Sequence, residues 1–322
     1  MPLSDLTLAE LNEFRPEVPE PADFDAFWTD TLAEARSVPQ HLSLTSIDGA
    51  VTQFRVEDLT FSGFGGDPVH AWVIRPRSAG RLPAVVEFVG YNGGRGLPAE
   101  HLEWASAGFV HVVMDTRGQG SGWGGGGTTP DPHGSGPAFE GFMTRGIDDP
   151  HNYFYRRVFT DAVRLVEVVR TLDVVDADRV AVTGGSQGGG ITLAVAGLLG
   201  DALAGAMPDV PFLCHFRRSV ELTPDRPFTE VTKYLSVHRD QVDAVFRTLS
   251  YFDGAVFASR ATAPALFSVG LMDQIVLPSS VFAAYHRYGA ADKELAVYGF
   301  NGHEGGGVFH WQRQVEWLRG RR

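Results

Sequence analysis

Apolar and polar positions along the chain follow two periods, and the switch between them outlines the fold. After Asp23, the residues Phe24, Phe27, Trp28 and Leu32 recur at helical spacing. This predicts a helix with Asp23 as N-cap and one face packed on the rest of the protein, within a helical extension over residues 1–45. From about residue 53 the period shortens. Phe54 to Phe61 alternates, a turn follows over Gly63 to Asp67, and Val69 to Ile74 is again strand-like, so an antiparallel hairpin is expected. Five apolar runs come next: Ala84 to Val89, Val110 to Met114, Val180 to Thr183, Ala265 to Val269 and Leu295 to Tyr298. Helix-length segments separate them, the pattern of crossover units in a mainly parallel sheet. In the segment before the third run, Val158, Phe159, Ala162, Val163, Val166 and Val169 share a face. Arg157, Asp161, Arg164 and Arg170 are expected to point largely elsewhere, as in a helix that covers a sheet. Residues 120–140 form a long Gly/Pro-rich loop, a type that is often functional. Residues 211–255 form an excursion suited to roofing a pocket. The expectation is one α/β domain over 1–322.

The third run leads into Gly184-Gly185-Ser186-Gln187-Gly188, and an apolar, helix-length segment follows to Leu199. A serine on a tight strand-to-helix turn is held in strained backbone geometry with its hydroxyl exposed. Glycines are required around it because side chains there would meet the neighbouring strand and helix. Ser186 is therefore the candidate nucleophile. In a chain with 38 glycines the motif alone is weak, and the strand-turn-helix setting is what strengthens it.

A serine hydroxyl needs an imidazole to take its proton and a carboxylate to orient that imidazole. In α/β-hydrolases these follow the serine in the order acid, then histidine, each after a different strand. Among eleven histidines, His303 lies in the loop beyond the last run, and Asp273 lies just past the run Ala265 to Val269. Asp273 has a turn or N-cap role as its plain alternative. Asp253 competes as the acid, but its segment ends no evident strand. The oxyanion donors are assigned to the backbone N–H groups of Gln187 and of Tyr91, in the glycine-rich stretch after Phe88. Gly120-Ser121-Gly122-Trp123-Gly124-Gly125 fits a dinucleotide fingerprint formally, but no evident helix opens after it. No histidine spacing matches a zinc site. No cofactor and no metal are expected.

Composition narrows the classes further. The chain has 322 residues, 43% of them hydrophobic, and a net charge of −12, which argues against a nucleic-acid-binding surface. The single cysteine, Cys214, forms no internal disulfide. No apolar stretch has the length of a membrane span, and Met1 to Leu6 lacks the character of a secretory signal. A cytoplasmic location is expected, with no membrane partner.

The motifs resemble those of carbohydrate esterase family 7, the acetyl xylan esterases and cephalosporin C deacetylases. The likeness runs over nearly the whole chain. It rests on Arg117-Gly118-Gln119, Gly184 to Gly188, Gly270-Leu271-Met272-Asp273 and His303-Glu304, with Asp23 to Trp28 and Leu249 to Asp253 in support. The resemblance implies an α/β-hydrolase fold and a serine esterase that removes acetyl groups from small, often carbohydrate, acetate esters. It implies Ser186, Asp273 and His303 as triad and Tyr91 and Gln187 as oxyanion donors, with Arg117 and Gln119 as scaffold beneath them. It also implies a hexamer of like chains. The family's Cys-Pro-Pro-Ser is replaced here by Val276-Leu277-Pro278-Ser279, so the pocket wall is expected to differ in shape. Two other readings are a serine peptidase of the prolyl oligopeptidase kind and a non-catalytic, ligand-binding hydrolase relative. The short space before residue 53 weighs against the first, and the complete triad against the second.

Overall fold

A computed structural model describes residues 5–78, 80–134 and 136–321. Its frame is a nine-stranded sheet. The strands are β1 (Leu42–Ser46), β2 (Phe54–Ser62), β3 (Pro68–Pro76), β4 (Leu82–Phe88), β5 (Val110–Met114), β6 (Val175–Gly185), β7 (Gly205–Asp209), β8 (Ala265–Gly270) and β9 (Lys293–Tyr298). Their lateral order is β1-β2-β3-β5-β4-β6-β7-β8-β9. The first three form an antiparallel meander, and β3 also runs antiparallel to β5. All remaining neighbours are parallel. The expected hairpin and all five apolar runs are strands of this sheet.

Burial follows from that topology. The residues of β5 and β8 are buried without alternation, because helices cover both faces of a parallel sheet. Side chains still take turns between faces. Ala84, Val86 and Phe88 of β4 enter a large core with the helices Phe154–Val169 and Gln187–Leu199, while Val85 enters a smaller core with Trp104, Val315 and Leu318. The edge strand β1 is exposed throughout. Neither β1 nor β7 stands out in the sequence: β1 buries nothing, and β7 is five residues long with Pro208 inside it.

The helix Phe24–Ser37 forms as expected, with Phe24, Phe27, Trp28 and Leu32 buried. Asp23 occupies its N-cap position but does not cap it. Its carboxylate instead accepts a hydrogen bond from Tyr251 Oη at 2.6 Å. Between β7 and β8 the chain leaves the sheet and forms the helices Phe216–Leu222, Phe228–Val237 and Val242–Ser250. Among the described residues no helix is long and apolar enough to cross a membrane.

The polar side of the helix Phe154–Val169 departs from expectation. Arg157, Asp161 and Arg164 are buried, not solvated. Arg164 donates to Glu167 at 2.6 Å and to Gln40 at 2.5 Å, while Arg157 and Asp161 join an ion network beneath the glycine-rich loop. Arg117, fully buried, donates to both oxygens of Asp161 at 2.6 and 2.8 Å and to Asp67 at 2.9 Å. Arg157 holds Asp131 at 2.9 and 2.8 Å. Burial pushes the Asp161 carboxyl up, with Arg117 pulling it the other way. Arg117→Met is expected to strand that carboxylate and cost about 3–5 kcal/mol of stability, read by denaturant unfolding. A loss under about 1 kcal/mol would show that the network is dispensable.

Candidate active site

Strand order reverses at β4. The chain crosses from β4 to β5 on one side and proceeds from β6 through β7 on the other, so the loops leaving β4 and β6 diverge. A crevice opens at the carboxyl ends of strands at such a point. Tyr91 follows β4 and Ser186 follows β6, and both line the cleft found there, with a volume of about 950 Å³.

Ser186 sits at φ 57°, ψ −118°, backbone space that non-glycine residues seldom occupy. Tertiary bonds hold it. Its N–H donates to Asp209 O at 2.9 Å, and its carbonyl accepts from Phe212 N at 2.9 Å and Gly190 N at 3.1 Å. The neighbouring glycines are needed for close approach: a Cβ on Gly188 would lie 1.9 Å from Phe88 O, and one on Gly184 2.6 Å from the same atom.

Asp273 follows β8 and is buried. Its Oδ1 accepts from Ile275 N and Val276 N, each at 2.9 Å, while Oδ2 accepts from His303 Nδ1 at 2.8 Å. One carboxylate thus makes a turn and orients an imidazole with different oxygens. His303 lies between β9 and the helix Gly307–Arg319. Glu304 tightens that loop by accepting from Asn301 Nδ2 at 2.7 Å and Gly302 N at 3.0 Å. His303 Nε2 and Ser186 Oγ, both at the same cleft, have no hydrogen-bond partner among the described residues. The competing Asp253 is elsewhere. It caps the helix Gly254–Ala258 and accepts from His215 N, Phe216 N and Ala255 N.

The two assigned oxyanion donors are tied together from below. Gln187 N–H opens the helix Gln187–Leu199, where first-turn donors have no intrahelical acceptor. The Gln187 side chain is buried. It accepts from Gln119 Nε2 at 2.9 Å and Tyr155 Oη at 2.8 Å, and donates to Val89 O at 3.2 Å. Gln119 Oε1 in turn accepts from Asn92 N at 2.7 Å. Trp123 Nε1 donates to Tyr91 O at 2.8 Å, and no acceptor among the described residues takes the Tyr91 N–H.

Ser186, His303 and Tyr91 line the cleft, Asp273 stands behind His303, and Gln187 adjoins Ser186. Trp123, Phe142, Pro227, Glu230 and Ile275 are among the other residues of the wall. Sequence reasoning assigned none of these five individually to the site. Trp123 belonged to the glycine-rich loop and Glu230 to the excursion, but nothing local aimed either at the serine. Among the described residues no group of three or more His, Cys, Asp or Glu is arranged to hold a metal ion.

The family description Acetyl xylan esterase (AXE1) matches residues 1–321. The chain belongs to that family. Two solved family structures are similar over their full lengths. An acetyl xylan esterase from Paenibacillus sp. R4 superposes with TM-score 0.92 at 38% identity, over 98% of this chain and 100% of that one. Acetyl xylan esterase 1 from Thermoanaerobacterium sp. JW/SL YS485 gives 0.88 at 35% identity, over 97% and 99%. The acetyl esterase Axe7A of Xylanibacter ruminicola is 26% identical over 309 residues, 90% of this chain, and the chain spans 65% of that relative's length. The fold of the family is the α/β-hydrolase fold expected from the motif order.

Proposed function

We propose that this protein is a serine esterase that removes acetyl groups from small, carbohydrate-type acetate esters through an acyl-enzyme. The observation that carries the reading is the Asp273–His303 pair at 2.8 Å, on the cleft where Ser186 is held on a strained turn. His303 Nε2 takes the hydroxyl proton as Ser186 Oγ bonds to the acetyl carbon, and Asp273 stabilises the imidazolium. The backbone N–H groups of Tyr91 and Gln187 stabilise the oxyanion. His303 then protonates the leaving alcohol, and water activated by His303 releases acetate. In this reading the chain acts as one hydrolase domain, with residues 211–255 as a roof that brings Pro227 and Glu230 to the cleft. Cephalosporin C-type acetates belong to the same substrate class. A cytoplasmic hexamer is the expected form, and light scattering checks the assembly.

The test is hydrolysis of p-nitrophenyl esters from acetate to octanoate. Activity that falls steeply beyond acetate supports the reading, and a preference for long chains overturns it. Cleavage of an aminoacyl-proline amide in place of esters would favour the peptidase alternative. Failure of a fluorophosphonate to label Ser186 would favour a non-catalytic relative.

Charge gives a further expected result. Glu87, Glu100, Glu103, Glu140, Asp209, Glu230 and Glu304 line the cleft, against Arg145 and Arg226. A cleft lined by one sign of charge focuses its field on the substrate. An ester whose alcohol carries a carboxylate should therefore show a several-fold lower kcat/KM than its neutral counterpart at about 0.01 M salt. The gap should close near 1 M, as the Debye length falls from about 30 Å to about 3 Å. Equal values at both salt concentrations would remove the field as a determinant.

A further inference from the structure

Glu230, on the helix Phe228–Val237, keeps its carboxylate buried at the roof of the cleft, and among the described residues no cationic side chain forms a direct ion pair with it, Arg226 acting on it only from a distance. A buried carboxylate without a direct ion pair is costly and persists only where donors converge on it. Here three groups do. Tyr91 Oη donates at 2.8 Å to both oxygens, and Phe142 N and Met143 N each lie 3.1 Å from Oε2. Phe142 N also donates to Tyr91 Oη at 2.6 Å, closing a ring of contacts. The loop is folded tightly around this carboxylate: at Gly141, with φ +123°, a Cβ would meet both oxygens at 2.2 Å. Burial raises the pKa of the Glu230 carboxyl, and burial followed by the Glu230 charge raises that of the Tyr91 phenol.

We propose that Glu230 is a positioning residue that fixes the Tyr91 oxyanion donor from the roof of the cleft. The proposal rests on the reading of Tyr91 N–H as an oxyanion donor. Three side chains hold the Tyr91 segment by hydrogen bonds, beside the bonds that backbone N–H groups donate, from Gly122 N to Asn92 O at 3.0 Å and from Phe142 N to Tyr91 Oη at 2.6 Å. Trp123 holds the Tyr91 carbonyl, Gln119 holds Asn92 N–H, and Glu230 holds the far end of the Tyr91 ring. Of these side-chain hydrogen bonds only the third comes from the excursion between β7 and β8, where Phe212 also packs edge-on against the Tyr91 ring, so it is the polar link between the roof and the chemistry. Oxyanion donors stabilise the transition state only when their geometry is set beforehand, and a small displacement is expensive in rate. Loss of this hold should therefore lower kcat and leave ground-state binding largely intact.

The experiment compares Glu230→Gln, Tyr91→Phe and the double variant with the wild type on p-nitrophenyl acetate. Each single variant should lose about tenfold to a hundredfold in kcat, with KM within about threefold. A boronic acid that mimics the tetrahedral intermediate should lose affinity in parallel with kcat/KM. The double variant should be little worse than the poorer single, since both remove one link. Wild-type kcat and boronate affinity in Glu230→Gln would overturn the proposal, as would fully additive losses. If Glu230→Gln does not fold, Tyr91→Phe decides by the same readouts, because it removes the Oη contacts with Glu230 and Phe142 N and leaves the carboxylate and the Tyr91 backbone bonds in place. Ser186→Ala separates the levels. Activity retained in that variant defeats the underlying site reading, whereas an inactive Ser186→Ala beside an unaltered Glu230→Gln defeats this proposal alone.

Discussion

Ser186→Ala is expected to lower kcat by on the order of 10⁶-fold, the scale seen when the nucleophile of a serine triad is removed. The fold should survive, because the bonds that hold residue 186 are made by its backbone: N–H to Asp209 O, and carbonyl from Phe212 N and Gly190 N. Alanine keeps the strain of φ 57° as serine does. Ser186→Gly is the informative companion. It should be as inactive, yet it relieves strain of about 1–3 kcal/mol against an added chain-entropy cost of about 0.5–1 kcal/mol. A melting temperature equal to or above that of the wild type is therefore expected for the glycine variant, and a clear drop would show that the turn is not strained. Undiminished esterase activity in Ser186→Ala would move the nucleophile elsewhere.

The second large effect is expected at the acid. Asp273→Asn should reduce kcat by about 10⁴-fold with little change in stability. The direction follows from the two jobs of this side chain. Ile275 N and Val276 N both donate to Oδ1, so an asparagine at this position turns its carbonyl oxygen toward them. Its NH₂ group then faces His303 Nδ1, where Oδ2 had accepted at 2.8 Å. Nδ1 must now accept, the ring proton moves to Nε2, and the nitrogen facing the cleft no longer takes a proton from Ser186. Asp253→Asn is the control. Asp253 serves three backbone N–H groups in the excursion and touches no assigned site residue. It should cost stability of about 1–2 kcal/mol, as lost caps do, with kcat kept. If the two variants exchange phenotypes, the acid is Asp253.

The chain by itself carried the mainly parallel sheet, the serine turn and the placing of Asp273 and His303 just past strands, because each is written in a short local pattern. Apolar runs such as Val110 to Met114 and Ala265 to Val269 are buried on both faces, and Gly184 to Gly188 stand directly between a strand-like run and a helix-length segment. Other features had no local trace. β1 is wholly exposed, β7 contains a proline, and the Asp23 carboxylate found Tyr251 across the fold instead of its own helix. The charged side of the helix Phe154–Val169 had a solvent-facing pattern, and only its pairing with Arg117, Asp131 and Gln40 turned it inward. Likewise Glu230 and Trp123 meet Tyr91 across separations of 139 and 32 residues. Periodicity reports which face of an element is buried. It says nothing about which distant polar group meets it there, since that pairing forms only once the sheet has brought the loops together.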